Sequence, residues 1–199
     1  MTSVPHRVVV ASKNPDKIRE VEAVLARMEH PWEIVRDLAW PDVEETEDTL
    51  EGNALLKAIA VSEATGLPAL ADDTGLEVDA LNGAPGVHSA RFAGPEASYE
   101  ANVERLLSEM ADVDDRAARF RTAIAFVVPG SDILIVEGVV EGMITTERRG
   151  DRGFGYDPVF AVGDRTYGEM ADVEKNEISH RARALRALAD ALRDSGEET

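Results

Sequence analysis

The sequence predicts an α/β protein, and three observations lead to this fold class. An apolar run at residues 8–11 has the length of a buried strand and is followed at once by a polar loop and an amphipathic helix. A second short apolar run, residues 68–71, likewise precedes a cluster of polar residues. Two longer strands, residues 118–128 and 133–140, are joined by a hairpin turn, Pro129-Gly130-Ser131-Asp132. With 199 residues the chain is long enough to bury a core and to divide into two lobes around a cleft.

Composition and charge exclude several classes of function. The 39 acidic and 21 basic residues give a net charge of −18, which repels nucleic acid and resembles the surface of halophile proteins. The chain has no cysteine, which excludes disulfides, thiolate metal sites and a cysteine nucleophile. The start of the chain, Met1 to Arg7, has no targeting pattern, and no apolar stretch reaches membrane length. We therefore expect a cytoplasmic protein that binds neither nucleic acid nor a membrane.

The loop after the first strand has the features of an anion site. Asn14 is a good N-cap, Pro15 suits the first helical position, and Asp16 lies in the first turn. Ser12 and Lys17 add a hydroxyl and an ammonium group near the positive end of the helix dipole. The alternative is that Asn14 only caps the helix and that Lys17 is a solvated surface lysine.

An acidic run at residues 44–48 precedes the second predicted helix, residues 49–65, which Gly66 closes. A run of this kind usually forms a solvated face or a helix start. One of its carboxylates could nevertheless reach a metal ion held by Asp73. Before this run, residues 32–35 form a weak strand whose direction the sequence does not predict.

The stretch of residues 71–94 is the part around which we expect the site to form. Ligand sites in α/β sheets lie where strands end, so we predict that a strand ends before Asp72 and that Asp72 to Gly75 form a polar loop. Neighbouring side chains on an extended chain point to opposite faces, so only one of the two aspartates is expected to bind a metal. We favour Asp73, which leaves Asp72 to bind a second metal, orient water or anchor the loop.

Two regions in the C-terminal half have unusual local chemistry. Residues 147–158 are dense in glycine, charge and aromatic rings, which indicates either a surface excursion or a binding loop rather than core. Ser179 is a good N-cap for a last helix that runs to Arg193. His180 and Arg181 then lie at the N-terminus of that helix, where the dipole disfavours cations. We therefore expect an anionic or acceptor ligand to compensate them.

Four segments match one pattern: Ser12-x-Asn14-x-x-Lys17, Ala71-Asp72-Asp73-Thr74-Gly75-Leu76 with Ala90-Arg91, Gly153-Phe154-Gly155-Tyr156-Asp157-Pro158, and Ile178-Ser179-His180-Arg181. In this order and spacing they resemble the inosine triphosphate pyrophosphatase family, from near Val8 to near Arg193. The resemblance implies a single mixed α/β domain over residues 1–199, with an elongated central sheet and two lobes around a nucleotide cleft. It also implies a homodimer that uses Mg²⁺ to hydrolyse ITP, dITP and XTP to the monophosphate and pyrophosphate.

The resemblance further implies roles for individual residues. Glu44 and Asp73 would bind the metal, and Asp73 is also the candidate catalytic base. The residues that would contact the phosphates are Ser12, Lys13, Asn14, Pro15, Asp16, Lys17, Lys57 and Thr74. The residues that would contact the nucleoside are Phe154, Gly155, Tyr156, Asp157, Lys175, His180 and Arg181.

These residue types suit the implied reaction. Cleavage between the α- and β-phosphates needs charge neutralisation and a positioned water, and Mg²⁺ held by carboxylates supplies much of this. The purine six-oxygen is an acceptor that Arg181 or backbone amides near Asp157 would recognise, whereas the amino group of adenine would clash. Tyr156 or Phe154 would stack on the purine ring. The sequence does not explain how guanine is excluded.

Several positions depart from the family pattern. Thr74 replaces a more usual serine, and Lys13 stands where glycine is frequent. His88 and Phe92 stand where tyrosines are common, and we expect His88 to be a packing residue rather than a catalyst. Two alternatives stay open: a pyrophosphatase for modified pyrimidine nucleotides and a non-catalytic nucleotide-binding regulator.

Overall fold

The structure is a computed structural model, and it describes residues 6–28, 32–131 and 133–196. Residues 1–5 lie outside these ranges, and they make up most of the N-terminal stretch in which we expected no targeting pattern. Asp132 of the predicted hairpin turn also lies outside them. No helix within the described ranges combines the length and apolarity that crossing a membrane requires.

Strands and helices are interspersed along the chain, as the sequence predicted. The strands are β1 (His6–Val10), β2 (Trp32–Ile34), β3 (Ala69–Val78), β4 (Pro85–Gly86), β5 (Ala117–Val127), β6 (Ile133–Ile144), β7 (Phe160–Val162) and β8 (Arg165–Thr166). The helices are α1 (Pro15–Leu25), α2 (Leu50–Thr65), α3 (Tyr99–Glu109), α4 (Asp172–Ile178) and α5 (His180–Gly196).

The described strands pair as a mixed sheet in the order β2-β1-β3-β5-β6-β7-β8, with β4 on β3. Strand β1 runs parallel to both β2 and β3. The pairs β3–β4, β6–β7 and β7–β8 are antiparallel. The predicted mixed α/β class is therefore confirmed, and β2 proves to be a parallel strand.

The chain forms two compact units. Unit 1 comprises the described residues of Met1–Asp73, Thr122–Gly138 and Arg181–Thr199. Unit 2 comprises Thr74–Arg121 and Val139–His180.

The core of unit 1 is formed by the apolar faces of two helices and the strands they cover. Helix α1 contributes Val21, Val24 and Leu25, and α5 contributes Leu185 and Leu188, to one buried cluster with residues of β1, β3 and β5. Burying one such aliphatic side chain contributes about 1.5–3 kcal/mol. This packing fixes the position of the α1 N-terminus next to the strands.

The core of unit 2 is rich in aromatic rings. Phe120 lies edge-to-face with Phe160, with 4.7 Å between ring centroids, and close to Tyr167. Arg116 adds a polar tie: its guanidinium donates to four backbone carbonyls at the end of α3 and at the end of β6. The acceptors are Met110, Val113, Ile144 and Thr145.

Strand β3 corrects one prediction. It does not end before Asp72 but continues to Val78, so Asp72 to Gly75 are strand residues and not a loop. Gly75 allows this path because a Cβ there would lie 2.7 Å from the carbonyl oxygen of Gly86 on β4. The sequence suggested an end because buried carboxylates are costly in a strand unless they are paired, and the pairing partners lie elsewhere in the chain.

Candidate functional site

The start of α1 lies in unit 1 and has the predicted cap. The side-chain oxygen of Asn14 accepts from the backbone N–H groups of Asp16 and Lys17, at 2.9 and 3.4 Å. The hydroxyl of Ser12 accepts from the N–H of Asn14 at 3.2 Å. Pro15 is the first helical residue, which confirms the predicted helix start. The N–H groups of Asp16 and Lys17 already donate to the side chain of Asn14. The side chains around the cap are therefore better placed than these two N–H groups to bind an anion.

Lys17 begins a chain of alternating charges. Its ammonium lies 3.2 Å from Oδ2 of Asp72. Arg181 donates to the same oxygen from Nε and Nη2, at 3.2 and 3.0 Å, and to Glu20 from Nη1. Asp72 and Arg181 have side chains that are only 1% and 2% exposed. Two helices and a strand of unit 1 are thereby joined through buried charges.

The charged partners of Asp72 and Arg181 determine whether these two buried side chains are ionised. Burial alone would raise the pKa of Asp72, but the positive charges of Lys17 and Arg181 hold the pKa of this carboxyl well below its usual range. Burial alone would lower the pKa of Arg181, but Asp72 and Glu20 outweigh it and raise that pKa. Asp72 and Arg181 are therefore both charged at neutral pH.

Arg181 was expected to need an anionic or acceptor ligand, and the structure supplies carboxylates of the same chain instead. Of the three roles left open for Asp72, its contacts with Lys17 and Arg181 match that of an anchor. Contact between Arg181 and a purine stays a prediction, since Glu20 and Asp72 accept from its guanidinium in this structure.

A second group of charges surrounds Lys57 on α2, also in unit 1. Its ammonium donates to Oε1 of Glu45 at 2.7 Å and to Oδ1 of Asp73 at 2.9 Å. It also donates to the backbone carbonyl of Asp72 at 2.9 Å. The side chains of Asp72 and Asp73 thus have different partners, as expected for neighbouring residues of a strand.

Burial and neighbouring charges have opposite effects on the pKa values of Lys57 and Asp73. Burial alone would lower the pKa of Lys57, but the carboxylates of Asp73 and Glu45 outweigh it and raise the pKa. Burial raises the pKa of Asp73, and the ammonium of Lys57 offsets part of this effect. Lys57 therefore stays protonated at neutral pH, and Asp73 is more basic than an exposed aspartate.

The oxygen donors beside Lys57 fit a hard divalent cation. Glu45 and Asp73 both contact one positive group, and Mg²⁺ typically takes one or two protein carboxylates and completes its shell with water and phosphate. Across residues 6–28, 32–131 and 133–196, no cluster of three or more acidic or histidine side chains is arranged to hold a metal. Glu44, which the family resemblance implied as a ligand, is exposed, whereas its neighbour Glu45 is the one that contacts Lys57.

In unit 2, Asp157 organises the glycine-rich loop. Its Oδ2 accepts from the backbone N–H of Phe154 at 2.7 Å and from the ammonium of Lys175. That ammonium also lies 4.9 Å from the ring centroid of Phe154. Gly153 is needed because its φ is +71° and a Cβ would lie 1.9 Å from Oδ2 of Asp157.

The rest of this loop is more buried than expected. The ring of Tyr156 belongs to the core of unit 2, and its hydroxyl donates to the carbonyl of Ser89 at 2.9 Å. Burial raises the pKa of Tyr156. The expectation that the loop could not form core is thus wrong for Tyr156 and Asp157, because a hydrogen bond and an ion pair satisfy their polar atoms. Gly155, two residues after Gly153, likewise has a positive φ of +62°.

The remaining residues lie in varied surroundings. His180 is buried and stacks on Phe120, with centroids 4.7 Å apart. Thr74 is half-buried in β3, and Lys13 is exposed and paired with Asp42. His88 is exposed, which does not match the packing role expected for it.

Sequence reasoning assigned no partner to Glu20 and no role to Asn53, and it did not single out Glu45 within the acidic run. Glu20 lies three residues after Lys17 on α1, a spacing that places both on one helix face and could have been noticed. Glu45 could not be separated from Glu44 because the direction of a loop side chain has no local signal. Asn53 was missed because a single asparagine inside a helix is usually unremarkable.

The mixed sheet with helices makes this an α/β protein, and its two lysines, two buried aspartates and capped helix start are groups of the kind that sites for anionic ligands and divalent cations use. Comparison with known proteins gives the particular family. The model of the Ham1 family matches residues 8–191. The chain belongs to the Ham1 family, which confirms the family predicted from the four sequence segments.

Individual relatives match over nearly the whole chain. A dITP/XTP pyrophosphatase of Bacillus licheniformis is 48% identical over 190 residues, covering 93% of this chain and 97% of the relative. One of Bacillus subtilis is 43% identical over 189 residues, covering 92% and 96%. The solved structure of a HAM1 protein from Coxiella burnetii has a TM-score of 0.83 at 42% identity and covers 94% of this chain and 98% of its own.

Proposed function

We propose that this protein hydrolyses deaminated purine nucleoside triphosphates (ITP, dITP and XTP) to the monophosphate and pyrophosphate, and that residues 1–199 act as one domain. Membership of the Ham1 family and full-length relatives named dITP/XTP pyrophosphatases support this activity. The observation that carries the proposal is the convergence of Lys57, Asp73 and Glu45 in unit 1.

The lysines of unit 1 would bind the triphosphate. In a chain of net charge −18, Lys17 and Lys57 are two ammonium groups held in place by buried carboxylates. Fixed positive groups in a partly buried site stabilise phosphate charge without reorganisation during the reaction. The proposed contacts of Ser12, Lys13, Asn14, Pro15, Asp16 and Thr74 would complete the phosphate end.

Asp73 is the proposed catalytic residue. Its carboxylate would accept a proton from the attacking water or orient that water, and its raised pKa makes it a better acceptor than an exposed aspartate. Mg²⁺, when bound, would neutralise phosphate oxygens and the leaving pyrophosphate. Asp73 and Glu45 would hold it, and Glu44 stays a proposed contributor from the neighbouring position.

Unit 2 and the start of α5 would select the purine. The proposed contacts are Phe154, Gly155, Tyr156, Asp157, Lys175, His180 and Arg181. The backbone N–H groups of the glycine-rich loop are donors, which suit the six-oxygen of hypoxanthine and xanthine and oppose the amino group of adenine.

We further propose a cytoplasmic homodimer adapted to high salt. Ile133 and Ile135 on β6 are 45% and 42% exposed, which supports an apolar contact with a second copy. The acidic surface supports a high-salt interior, and the substrates belong to the nucleotide pool of the cytoplasm.

A nucleotide panel with product analysis tests the activity. With Mg²⁺, we expect pyrophosphate release from ITP, dITP and XTP to exceed that from ATP and GTP by at least about 100-fold in kcat/KM. Inorganic phosphate as the first product, or equal rates with ATP, would reject the proposal. Size-exclusion chromatography with light scattering tests the dimer.

A further inference from the structure

Asn53 is a fully buried polar side chain with no part in the proposed reaction. It lies in the first turns of α2, in unit 1, and is 0% exposed. Its side-chain oxygen accepts from the N–H of Glu47 at 3.0 Å, and its side-chain nitrogen donates to the carbonyl of Glu47 at 3.1 Å. One amide group therefore satisfies both backbone polar groups of a single loop residue.

The loop that Asn53 holds is strongly acidic. Residues 44–48 carry four carboxylates in five positions, which repel one another, and most of their side chains are exposed. Without attachment such a segment would sample many conformations. Gly52 permits the attachment, since a Cβ there would lie 2.7 Å from the Cβ of Glu47.

Helix α2 holds this loop at a second point. Lys57 follows Asn53 by four residues, so both side chains lie on the same helix face. Lys57 binds the carboxylate of Glu45, while the same ammonium contacts Asp73 on β3. The backbone of Glu47 and the side chain of Glu45 are thus both attached to α2, within one turn of each other.

We propose that Asn53 is a positioning residue that sets Glu45 beside Asp73 and thereby determines the affinity for the divalent cation and the triphosphate. The inference rests on the proposed function for its kinetic consequence. An amide suits this role because it is both donor and acceptor and carries no charge that would compete for the cation or repel the phosphates. Asn53 touches neither substrate nor metal; it acts through the loop.

Two variants and one matched control test the role. Asn53→Ala removes both hydrogen bonds, and Asn53→Asp keeps the size and the acceptor but loses the donor. Thr49→Ala is the control, because the Thr49 hydroxyl caps the same helix by accepting from the N–H of Gly52 at 3.1 Å without contacting Glu47. All three should destabilise the protein, but only the Asn53 variants should affect the loop.

Three measurements separate positioning from general stability. In Asn53→Ala we expect hydrogen exchange at the Glu47 amide to accelerate about tenfold or more, whereas Asn53→Asp keeps the oxygen that accepts from this amide and should change its exchange by no more than about twofold. In both variants we expect Mn²⁺ binding, measured by electron paramagnetic resonance, to weaken about tenfold, because the carbonyl of Glu47 loses its donor. The KM for ITP and the Mg²⁺ concentration for half-maximal rate should rise by a similar factor, with kcat within about twofold of wild type. Thr49→Ala should leave all four quantities within about twofold.

The outcomes are distinct. If the Glu47 amide loses protection while Mn²⁺ binding and the KM for ITP stay unchanged, Asn53 is only a structural residue and the proposal is overturned. If Thr49→Ala weakens Mn²⁺ binding as much as Asn53→Ala, general destabilisation explains the effect and the proposal is again overturned. If wild-type protein binds Mn²⁺ but does not hydrolyse ITP, and the Asn53 variants still weaken Mn²⁺ binding, the proposed function fails while the positioning role stands. If Asn53→Ala does not fold, Asn53→Asp still supplies the comparisons of Mn²⁺ binding and of the KM for ITP with the Thr49→Ala control.

Discussion

Replacing Arg181 by methionine tests whether the buried charge chain of unit 1 is a structural requirement. Methionine has a similar length and can occupy much of the same space, so the main change is the loss of the guanidinium. In the structure this group donates to Asp72 through Nε and Nη2 and to Glu20 through Nη1. Arg181→Met therefore leaves two largely buried carboxylates without their shared cation.

The expected cost follows from the burial of these partners. Removing one member of a buried charge pair typically lowers the free energy of unfolding by about 3–5 kcal/mol. Asp72 keeps Lys17 at 3.2 Å, which places the expected loss toward about 3 kcal/mol. Arg181→Lys should recover only part of this, because an ammonium cannot reproduce the planar fork of the guanidinium.

Urea unfolding at neutral pH, followed by circular dichroism, measures this loss. Arg193→Met is the control, since Arg193 pairs with Asp190 on the exposed side of α5 at 51% and 62% side-chain exposure. It should cost less than about 0.5 kcal/mol. If Arg181→Met costs less than about 1 kcal/mol, the buried chain contributes little and the reasoning is refuted. A large rise in the KM for ITP alongside such a small loss would instead favour the proposed purine contact of Arg181.

Three further predictions follow from the same contacts. Asp73→Asn should lower kcat for ITP by about 100-fold or more with little change in circular dichroism, and a loss below about tenfold would argue against Asp73 as the catalytic group. Because the pKa of Asp72 is depressed in the folded protein, the contribution of its carboxylate to the free energy of unfolding is complete above about pH 5. This contribution is progressively lost as the pH falls below about 4, where the carboxyl of the unfolded chain becomes protonated. The difference in urea stability between wild type and Asp72→Asn should therefore shrink from pH 7 to pH 3.5, about half a unit below the pKa of an unfolded aspartate; a constant difference would contradict this. Gly153→Ala should lower the free energy of unfolding in urea by at least about 2 kcal/mol, because of the positive φ and the clash of the new Cβ with Asp157. Gly155→Ala, which has open space at its Cβ, should lower it by only about 1 kcal/mol. Equal losses would show that the clash is relieved.

Local signals were sufficient to predict α1 and α2. Asn14 and Pro15 mark the start of α1 and Thr49 and Gly66 delimit α2, because caps depend on groups within a few residues. Helix α4 was missed, since its seven residues follow an N-cap position, Ala171, that makes no side-chain capping bond.

Distant contacts account for the errors in the site. Asp72 looked like the start of a loop because its partner Arg181 lies 109 positions away, and no pattern near residue 72 indicates that pairing. For the same reason Arg181 was expected to need a ligand. Tyr156 was expected outside the core, whereas Ser89, its acceptor, lies 67 positions earlier in the chain.

The tie made by Arg116 has an evolutionary consequence. All four of its acceptors are main-chain oxygens, which every amino acid supplies. Substitutions at positions 110, 113, 144 and 145 therefore leave the acceptors of these hydrogen bonds in place. The donor has no such redundancy, because only arginine presents five N–H groups in a planar fork. We expect a library of random substitutions in unit 2 to retain arginine at this codon while codons 113 and 145 diversify and codons 110 and 144, whose side chains are fully buried in the core, stay apolar.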